Sequence, residues 1–421
     1  MDFLNSGIGS AKDNAKSPVH NWYKFTAGFS YKFVEQLIKT EKPKFSSFRI
    51  FDPFAGCGTT LVSSQKNNVE AVGNEAQQFM YDVIRGKLNW EIESFEFDTY
   101  IEFIKNHINE NLNNYDVEKN CHSLLRGLYK PESLKKIYLI RDAVRLIKSE
   151  KYRLFFNLAL SQTLHKVSIH PIAIPYISRN KTLSNTTKAW EFFEKISAKM
   201  LEDTHLLNNS INISEVYLHD SRIVNDFIAD NSCSICITSP PYLNNLDYGE
   251  VSKVHTHFYA LTNDWNEITT KVRKKLVTGS TTHYREIDFD LEKYKKGEFY
   301  LTNKAISRFL IVKTALMKSI SKDRAGKKSF DILTLLYFED MYKVLKEIKR
   351  VIKKDGKAFL ILGDSAPYGV FIPTTKVLGK IAKNIGFDNF EIHKIRTRGT
   401  KWKSLTYRHS IELSENVLIL S

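Results

Sequence analysis

The stretch FRIFDPFAGCGTTLVSSQKNNVEAVGNE, residues 48–75, decides the fold. An apolar run ends at Asp52, a turn with Gly56 and Gly58 follows, and a helical pattern leads to a second apolar run that ends at Glu75. Strands that alternate with helices in this way are typical of a parallel sheet. The sequence therefore predicts an α/β fold with a nucleotide-binding type of sheet that carries helices on both faces.

The turn between these two strands has the features of a ligand site. Its two glycines let the backbone bend tightly and approach a ligand, while the N-terminus of the next helix points at it. A carboxylate at the position of Glu75 can accept hydrogen bonds from both ribose hydroxyls. Thr59 and Thr60 stand where a dinucleotide fingerprint continues toward its third glycine, and the lysine of a P-loop is absent. The pattern favours a nucleoside ligand without a polyphosphate.

A second stretch, CSICITSPPY at residues 233–242, is an apolar run that stops at two prolines. Since the carboxyl ends of strands face the ligand crevice in a doubly wound sheet, Ser239, Pro240, Pro241 and Tyr242 should lie beside the nucleoside site. The prolines lack N–H groups, which leaves the Ser239 hydroxyl and the Pro240 carbonyl as acceptors for the amino group of a base. An extruded base can stack on Tyr242. A turn that merely caps a strand is the alternative.

DPFAGCGTT (residues 52–60) together with TSPPY (residues 238–242) resembles the S-adenosylmethionine-dependent DNA amino-methyltransferases, which methylate cytosine at N4 or adenine at N6. Four further stretches are similar to segments of that family: the cofactor-closing segment at 20–38, the ribose-binding strand end at 73–79, the adenine-contacting strand end at 219–222, and a later helix and strand at 337–365. The resemblance covers about half of the chain. It implies a Rossmann-like class I methyltransferase sheet.

The resemblance also implies S-adenosylmethionine as the cofactor and a set of site residues. The candidate cofactor-binding residues are Phe25, Asp52, Pro53, Phe54, Gly56, Cys57, Gly58, Thr59, Glu75, Asp220 and Ser221. By resemblance, Asp52 and the glycines lie along the methionine part, Glu75 binds the ribose, and Asp220 accepts from the adenine amino group. The candidate catalytic residues, which hold the target base, are Ser239, Pro240, Pro241 and Tyr242. For Phe25, an ordinary packing role is the alternative.

The expected reaction is direct in-line transfer of the methyl group to an amino nitrogen of a flipped base. The sulfonium group is already activated, so the protein mainly positions and desolvates the reactants. We expect no metal ion, and no covalent cysteine, because Pro240-Pro241 replaces the Pro-Cys signature of ring-carbon methylation. Ser239 favours cytosine-N4 by resemblance. Adenine-N6 methylation, methylation of an RNA or tRNA base, and an inactive nucleic-acid-binding module are the alternatives.

The charge balance indicates a polyanionic partner. The chain has 62 Lys and Arg against 47 Asp and Glu, a net charge of +15, which attracts nucleic acid. The alternative is that the basic residues form an ordinary solvated surface with no bound partner. The resemblance implies double-stranded DNA as the partner and leaves open a cognate restriction endonuclease and the oligomeric state. The candidate DNA-binding residues are Lys271, Arg273, Lys274, Lys275, Arg396, Arg398, Lys401 and Trp402.

The pattern along the chain divides it into three regions. Residues 1–95 form the cofactor-binding half of the catalytic domain. Residues 96–212 form a mostly helical insertion, a candidate target-recognition region. Residues 213–421 form the catalytic half, with a basic loop or subdomain near 266–330. In this half we expect a long amphipathic helix ended by Asp355-Gly356, a helix opened by Pro373, and two closing strands.

Cysteine content and hydropathy exclude other classes. The four cysteines are too scattered for a disulfide framework, and Cys233-x-x-Cys236 lacks a second ligand pair for zinc, so we expect core thiols. There is no run of about 18 apolar residues, and the first residues lack the layout of a signal peptide. We therefore expect a cytoplasmic protein that is not bound to a membrane.

Overall fold

The strands form one seven-stranded sheet. The computed structural model describes residues 11–25, 27–172, 176–184, 186–207, 213–244, 246–321, 328–398 and 411–421. The strands are β1 (Arg49–Asp52), β2 (Glu70–Glu75), β3 (Ser214–Leu218), β4 (Cys233–Thr238), β5 (Ile352–Gly363), β6 (Phe390–Arg398) and β7 (Leu413–Leu420). Their spatial order is β3-β2-β1-β4-β5-β7-β6.

Strands β1 to β5 run parallel, and β7 lies antiparallel between β5 and β6. From β1 the chain moves outward through β2 to β3, and it then crosses to β4 on the other side of β1. The strand order therefore reverses between β1 and β4. In open α/β sheets ligands bind at this switch point, outside the carboxyl ends of the strands. Asp52 and Thr238, the last residues of β1 and β4, mark this edge.

Helices cover both faces of the sheet. In chain order they are α1 (Tyr31–Glu41), α2 (Thr59–Lys66), α3 (Gln78–Leu88), α4 (Ser94–Asn111), α5 (Val117–Asn120), α6 (Ser123–Arg126), α7 (Pro131–Leu146), α8 (Glu150–Val167), α9 (Ala189–His205), α10 (Tyr248–Phe258), α11 (Trp265–Glu267), α12 (Leu291–Lys296), α13 (Glu298–Thr302), α14 (Lys304–Ser321), α15 (Phe330–Val351) and α16 (Thr374–Ile385). Within the described ranges, no helix is both long and apolar enough to cross a membrane.

Two apolar layers hold these helices to the sheet. Side chains alternate between the faces of a strand, so Ile50 belongs to one buried cluster and its neighbour Phe51 to the other. The first cluster includes residues of α1 to α4 and α7 to α10. The second includes residues of α14 to α16. The two layers confirm the predicted α/β sheet with helices on both faces.

The helical region between β2 and β3 shares the first of these clusters. Leu134 of α7, Phe155 of α8 and Phe193 of α9 are buried together with Ile50 of β1. The guanidinium of Arg141 in α7 also donates to the carbonyl oxygen of Phe258 at 2.7 Å. These helices thus share one apolar cluster with the sheet. The boundaries predicted for the insertion stay a prediction.

The long amphipathic helix ends earlier than predicted, at Val351 rather than at Asp355-Gly356. Ile352 already pairs with Cys233 of β4 as the first residue of β5. A Cβ atom at Gly356 would lie 2.5 Å from the carbonyl oxygen of Ser234. This glycine therefore permits close approach of β5 to β4 and does not stop the helix.

The segment near 266–330, predicted as a basic loop or subdomain, is largely helical where the structure describes it. It contains α12, α13 and α14. Leu310 and Met317 of α14 are fully buried in the second cluster, beside α15. This part of the segment therefore contributes to the core, which its high lysine content concealed.

The four cysteines are buried free thiols. Cys233 and Cys236 both belong to the second apolar cluster. Burial raises the pKa of the Cys233 thiol to about 11 and that of the Cys236 thiol well above its ordinary value. Both groups thus stay protonated, as core thiols do.

Candidate active site

The turn between β1 and α2 depends on two glycines in the left-handed backbone region. Gly56 has a φ of 56° and Gly58 a φ of 82°, values that other residues adopt only with strain. A Cβ atom at Gly58 would lie 3.3 Å from Cγ2 of Ile84 in α3. Because Gly58 has no side chain, the turn can pack closely against α3.

Glu75, the last residue of β2, is oriented by the backbone around it. Its Oε2 atom accepts the N–H of Gly56 at 2.9 Å, and its Oε1 atom accepts the N–H of Gln77 at 2.8 Å. Burial raises the pKa of Glu75 to about 7, although these hydrogen bonds lower it. Each oxygen keeps a lone pair for a ligand, so the carboxylate can accept hydrogen bonds from a pair of hydroxyls.

Asp52 and Thr238 join the two strand ends across the switch point. The Thr238 hydroxyl donates to Oδ1 of Asp52 at 2.7 Å, and the N–H of Phe54 donates to the same oxygen at 3.0 Å. Burial raises the pKa of Asp52 to about 6. Because Ser239 follows Thr238 directly, this bond fixes the start of the Ser-Pro-Pro-Tyr corner against the glycine turn.

Both loop tips border one cleft, with an empty volume of about 950 Å³ that includes its opening to solvent. The predicted residues that line it are Phe25, Pro53, Phe54, Gly56, Cys57, Thr59, Glu75, Asp220, Ser221, Ser239 and Pro241. The other predicted residues of these two sets are not among the described residues that line the cleft: Asp52, Gly58, Pro240 and Tyr242. The cleft therefore brings the glycine turn and the serine-proline corner together.

Ser239 presents acceptors to the cleft. Its hydroxyl donates to the carbonyl oxygen of Ile361 in β5 at 3.2 Å. A hydroxyl has one proton and two lone pairs, so a hydroxyl that donates to the sheet keeps its lone pairs for another donor. Pro240 is buried, and it has no N–H group. The corner can thus accept hydrogen bonds from an amino group.

Tyr242 contacts charged residues of the last two strands. Its hydroxyl donates to Oε1 of Glu415 in β7 at 2.9 Å. The guanidinium of Arg398 lies over its ring, 4.7 Å from the ring centre, and Arg396 forms an ion pair with Glu415 at 2.5 Å. Of the two arginines predicted to bind DNA, Arg398 therefore contacts the tyrosine ring, and Arg396 contacts the glutamate that accepts the tyrosine hydroxyl.

The segment before α1 covers one side of the cleft. The Phe25 ring stacks on Tyr248 with 6.4 Å between ring centres, and a Cβ atom at Gly56 would lie 3.7 Å from the Phe25 ring. The sequence prediction missed Tyr248 as a lining residue. The spacing of Asp247 and Glu250 matches a capping box, and Asp247 does cap α10. That signal was sufficient to place Tyr248 in the first turn of a helix after the corner.

Asp220 and Ser221 follow β3 and are held in place by different partners. The Ser221 hydroxyl donates to the carbonyl oxygen of Pro53 in the glycine turn. The Asp220 carboxylate accepts from the backbone N–H and from Nε of Arg222, both at 3.0 Å. The sequence prediction did not include Arg222.

The basic residues 271–275 have different environments. Lys275 lines the cleft together with Leu276 and Val277. Lys274 is exposed. Lys271 forms an exposed ion pair with Glu267 at 2.8 Å. Lys275 thus reaches the cleft, while Lys271 and Lys274 lie in exposed positions of the same segment.

Arg273 does not fit the predicted contact with DNA. Its side chain is buried, and its Nη2 atom lies 2.6 Å from Oδ2 of Asp247. Its guanidinium also lies 4.9 Å from the Trp265 ring centre. A side chain in such a pair reaches a phosphate only if the pair breaks, so the pair argues against this contact, and the DNA-binding role of Arg273 stays a prediction. Lys401 and Trp402, also predicted to bind DNA, lie outside the described residues.

The chain is similar over most of its length to curated type II methyltransferases. It is 23% identical over 411 residues to M.AvaI of Anabaena variabilis, which covers 91% of this chain and 82% of the relative. It is 20% identical over 419 residues to M.MvaI of Kocuria varians, with 93% and 86% covered. For M.BsoBI of Geobacillus stearothermophilus the identity is 21% over 434 residues, with 94% and 84% covered. No protein-family model and no solved structure matches the chain. These relatives confirm the resemblance to the DNA amino-methyltransferases.

Proposed function

We propose that the chain is a site-specific DNA methyltransferase that transfers a methyl group from S-adenosylmethionine to the exocyclic amino group of a flipped base, with cytosine-N4 as the favoured target. One observation carries the proposal: the glycine turn with Glu75 and the Ser239 corner line the same cleft. The bond between Thr238 and Asp52 joins them. The similarity to three type II methyltransferases supports the reaction class.

The residues of the cleft fit S-adenosylmethionine. Gly56 lines the cleft without a side chain, and the Glu75 carboxylate suits a ribose diol. Asp220 follows β3 at the same edge of the sheet and can accept from an amino group. When bound, the cofactor supplies a methyl group on a sulfonium that needs no further activation.

The serine-proline corner positions the nitrogen that receives the methyl group. The Ser239 hydroxyl and the Pro240 carbonyl accept the two protons of the amino group, which directs the nitrogen lone pair into the cleft. Phe25, Tyr248 and Val277 line the cleft and exclude water. The chain thus acts by positioning and desolvation.

The proposal extends to the partner and to the choice of base. Double-stranded DNA is the proposed substrate. The helical region at 96–212 and the basic segment near 266–330 are the two candidates for reading its sequence. The resemblance favours cytosine-N4 because of Ser239, and adenine-N6 is the alternative, since it presents the same two protons to the same acceptors. A base in RNA is the second candidate substrate, and its amino group meets the same corner.

The test measures methylation and cofactor binding separately. Purified protein should transfer labelled methyl groups to duplex DNA and not to tRNA, and sequencing of DNA from cells that express it should identify one base in one sequence context. Ser239→Ala should lose most of the transfer and keep cofactor binding in calorimetry. Ser232→Ala, before the opposite end of β4, is the matched control. Transfer to tRNA alone, or full activity of Ser239→Ala, contradicts the proposal.

A further inference from the structure

Arg222 is not among the described lining residues of the cleft, but it bonds to residues on two of its sides. Its Nη2 atom donates to Oδ2 of Asp220 at 2.7 Å and to the carbonyl oxygen of Lys274 at 2.6 Å. Its Nη1 atom donates to Asp340 of α15 at 3.1 Å. The same oxygen of Asp340 accepts the N–H and the hydroxyl of Thr278, at 3.0 and 2.8 Å. One guanidinium therefore connects β3, α15 and the segment after α11.

These bonds fix both ends of residues 275–277. Lys274 directly precedes this short wall, and Thr278 directly follows it. All three residues of the wall line the cleft, as does Asp220. Asp220 and the residue that precedes the wall thus share one donor, the Arg222 guanidinium.

The geometry requires an arginine. Exposed ion pairs contribute little to stability, but the Arg222 side chain is only 18% exposed and that of Asp340 only 9%. The planar fork reaches acceptors on three segments at once. A lysine has a single charged nitrogen and cannot reproduce this arrangement.

We infer that Arg222 is a positioning residue that couples the nucleoside end of the cofactor site to the wall at 275–277. This inference rests on the proposed function, in which Asp220 binds the adenine amino group of the cofactor. Ligand contact at Asp220 and order in the wall are then two ends of one hydrogen-bonded chain. Loss of the guanidinium weakens cofactor binding and loosens the wall.

The experiment compares Arg222→Met and Arg222→Lys with the wild-type chain. Hydrogen exchange at residues 274–278 is followed in the cofactor-free proteins, and S-adenosylmethionine is titrated by calorimetry. Both variants should exchange faster in this segment, and their Kd for the cofactor should rise on the order of tenfold. Arg85→Lys is the control, because Arg85 donates two bonds to Glu150, at 3.0 and 2.7 Å, away from the cleft.

The outcomes separate this inference from the proposed function. Unchanged exchange at 274–278 in a folded Arg222 variant overturns the inference, whatever the wild-type chain binds. Equal cofactor affinity of both Arg222 variants and the wild-type chain also overturns it. A wild-type chain that fails to bind the cofactor contradicts the proposed function instead. If Arg222→Met does not fold, Arg222→Lys, which keeps the charge and most of the volume, gives the answer.

Discussion

The guanidinium of Arg398 lies 4.7 Å from the centre of the Tyr242 ring, so one face of this ring is already covered by the protein. The Tyr242 hydroxyl is held at the same time by Glu415. A base that stacks on Tyr242 must therefore use the other face or displace Arg398. The ring has a fixed orientation before any substrate arrives, which lowers the entropic cost of stacking.

Substitutions at Tyr242 should separate the ring from the hydroxyl. Tyr242→Phe keeps the ring and loses one hydrogen bond, worth about 1 kcal/mol, so methylation should fall by less than about tenfold. Tyr242→Ala removes the stacking surface, worth about 1–3 kcal/mol per base, and should lose most of the transfer. Single-turnover methylation measures both. Tyr242 lies outside the cleft lining, so reduced cofactor binding in Tyr242→Phe would contradict this assignment.

Cofactor binding should depend on the protonation of Glu75. Burial raises the pKa of Glu75 to about 7, so in the absence of a ligand the folded chain binds more protons than the unfolded chain from pH 4.5 to about 7. In that window this group makes the free energy of unfolding decrease as pH rises. A ribose diol and a sulfonium both favour the ionised form, so affinity should fall as pH drops below about 7.

Calorimetry in two buffers of different ionisation enthalpy measures how many protons the protein releases when the cofactor binds. In this prediction the proton comes from Glu75. Release should occur below about pH 7 and vanish well above it, because the pKa of Glu75 without the ligand is about 7. Glu75→Gln should bind more weakly and lose this part of the pH dependence. Burial also raises the pKa of Asp52 to about 6, so Asp52 can release a proton in the same pH range. Asp52→Asn is the control that removes this second source of protons. Equal release by the wild-type chain and Glu75→Gln would assign the titration elsewhere.

The two glycines of the turn should differ in their tolerance of alanine. At Gly56 a Cβ atom has no neighbour closer than 3.7 Å, so the cost is the left-handed backbone alone, about 1–2 kcal/mol. At Gly58 the Cβ atom also approaches Ile84 at 3.3 Å, which adds overpacking of about 1–3 kcal/mol. Urea unfolding should show the larger loss for Gly58→Ala. Equal losses would mean that Ile84 moves aside freely.

The parts of the site that lie at strand ends could be predicted from the sequence. Asp52, Glu75 and Ser239 each follow an apolar run, and the topology of a parallel sheet brings such ends to one edge. The local pattern was enough to predict these positions, because the residues next to each strand end in the sequence determine where the strand stops.

Contacts between distant segments could not be predicted in this way. The basic run around Arg273 predicted a contact with DNA, yet Arg273 pairs with Asp247, which lies 26 residues earlier in the sequence. Gly356 read as a helix stop, but the strand beside it requires it. Such pairings depend on how segments meet in three dimensions.

The ion pair of Asp247 with Arg273 should contribute strongly to stability. Although burial acts in the opposite direction, His283, whose Nε2 lies 3.6 Å from Oδ1, and the hydrogen-bonded guanidinium of Arg273 lower the pKa of Asp247 well below its usual range. Its contribution is therefore present above the ordinary pKa of aspartate and is lost as pH falls below it. Asp247→Asn keeps the helix cap but leaves Arg273 buried and unpaired, which should cost about 3–5 kcal/mol in urea unfolding. The double variant Asp247→Asn with Arg273→Met should cost less than the sum of the single variants.

The salt dependence of DNA binding should distinguish Arg273 from Lys274. A phosphate contact that is lost reduces the slope of log K against log salt by about 0.9. Arg273 is buried in its pair with Asp247, so Arg273→Met should leave the slope unchanged even if it lowers stability. Lys274 is exposed beside the cleft, so Lys274→Met should reduce the slope. Binding is measured by fluorescence anisotropy on duplex DNA at several salt concentrations. A reduced slope for Arg273→Met would show that the ion pair between Arg273 and Asp247 breaks when DNA binds and that Arg273 contacts a phosphate.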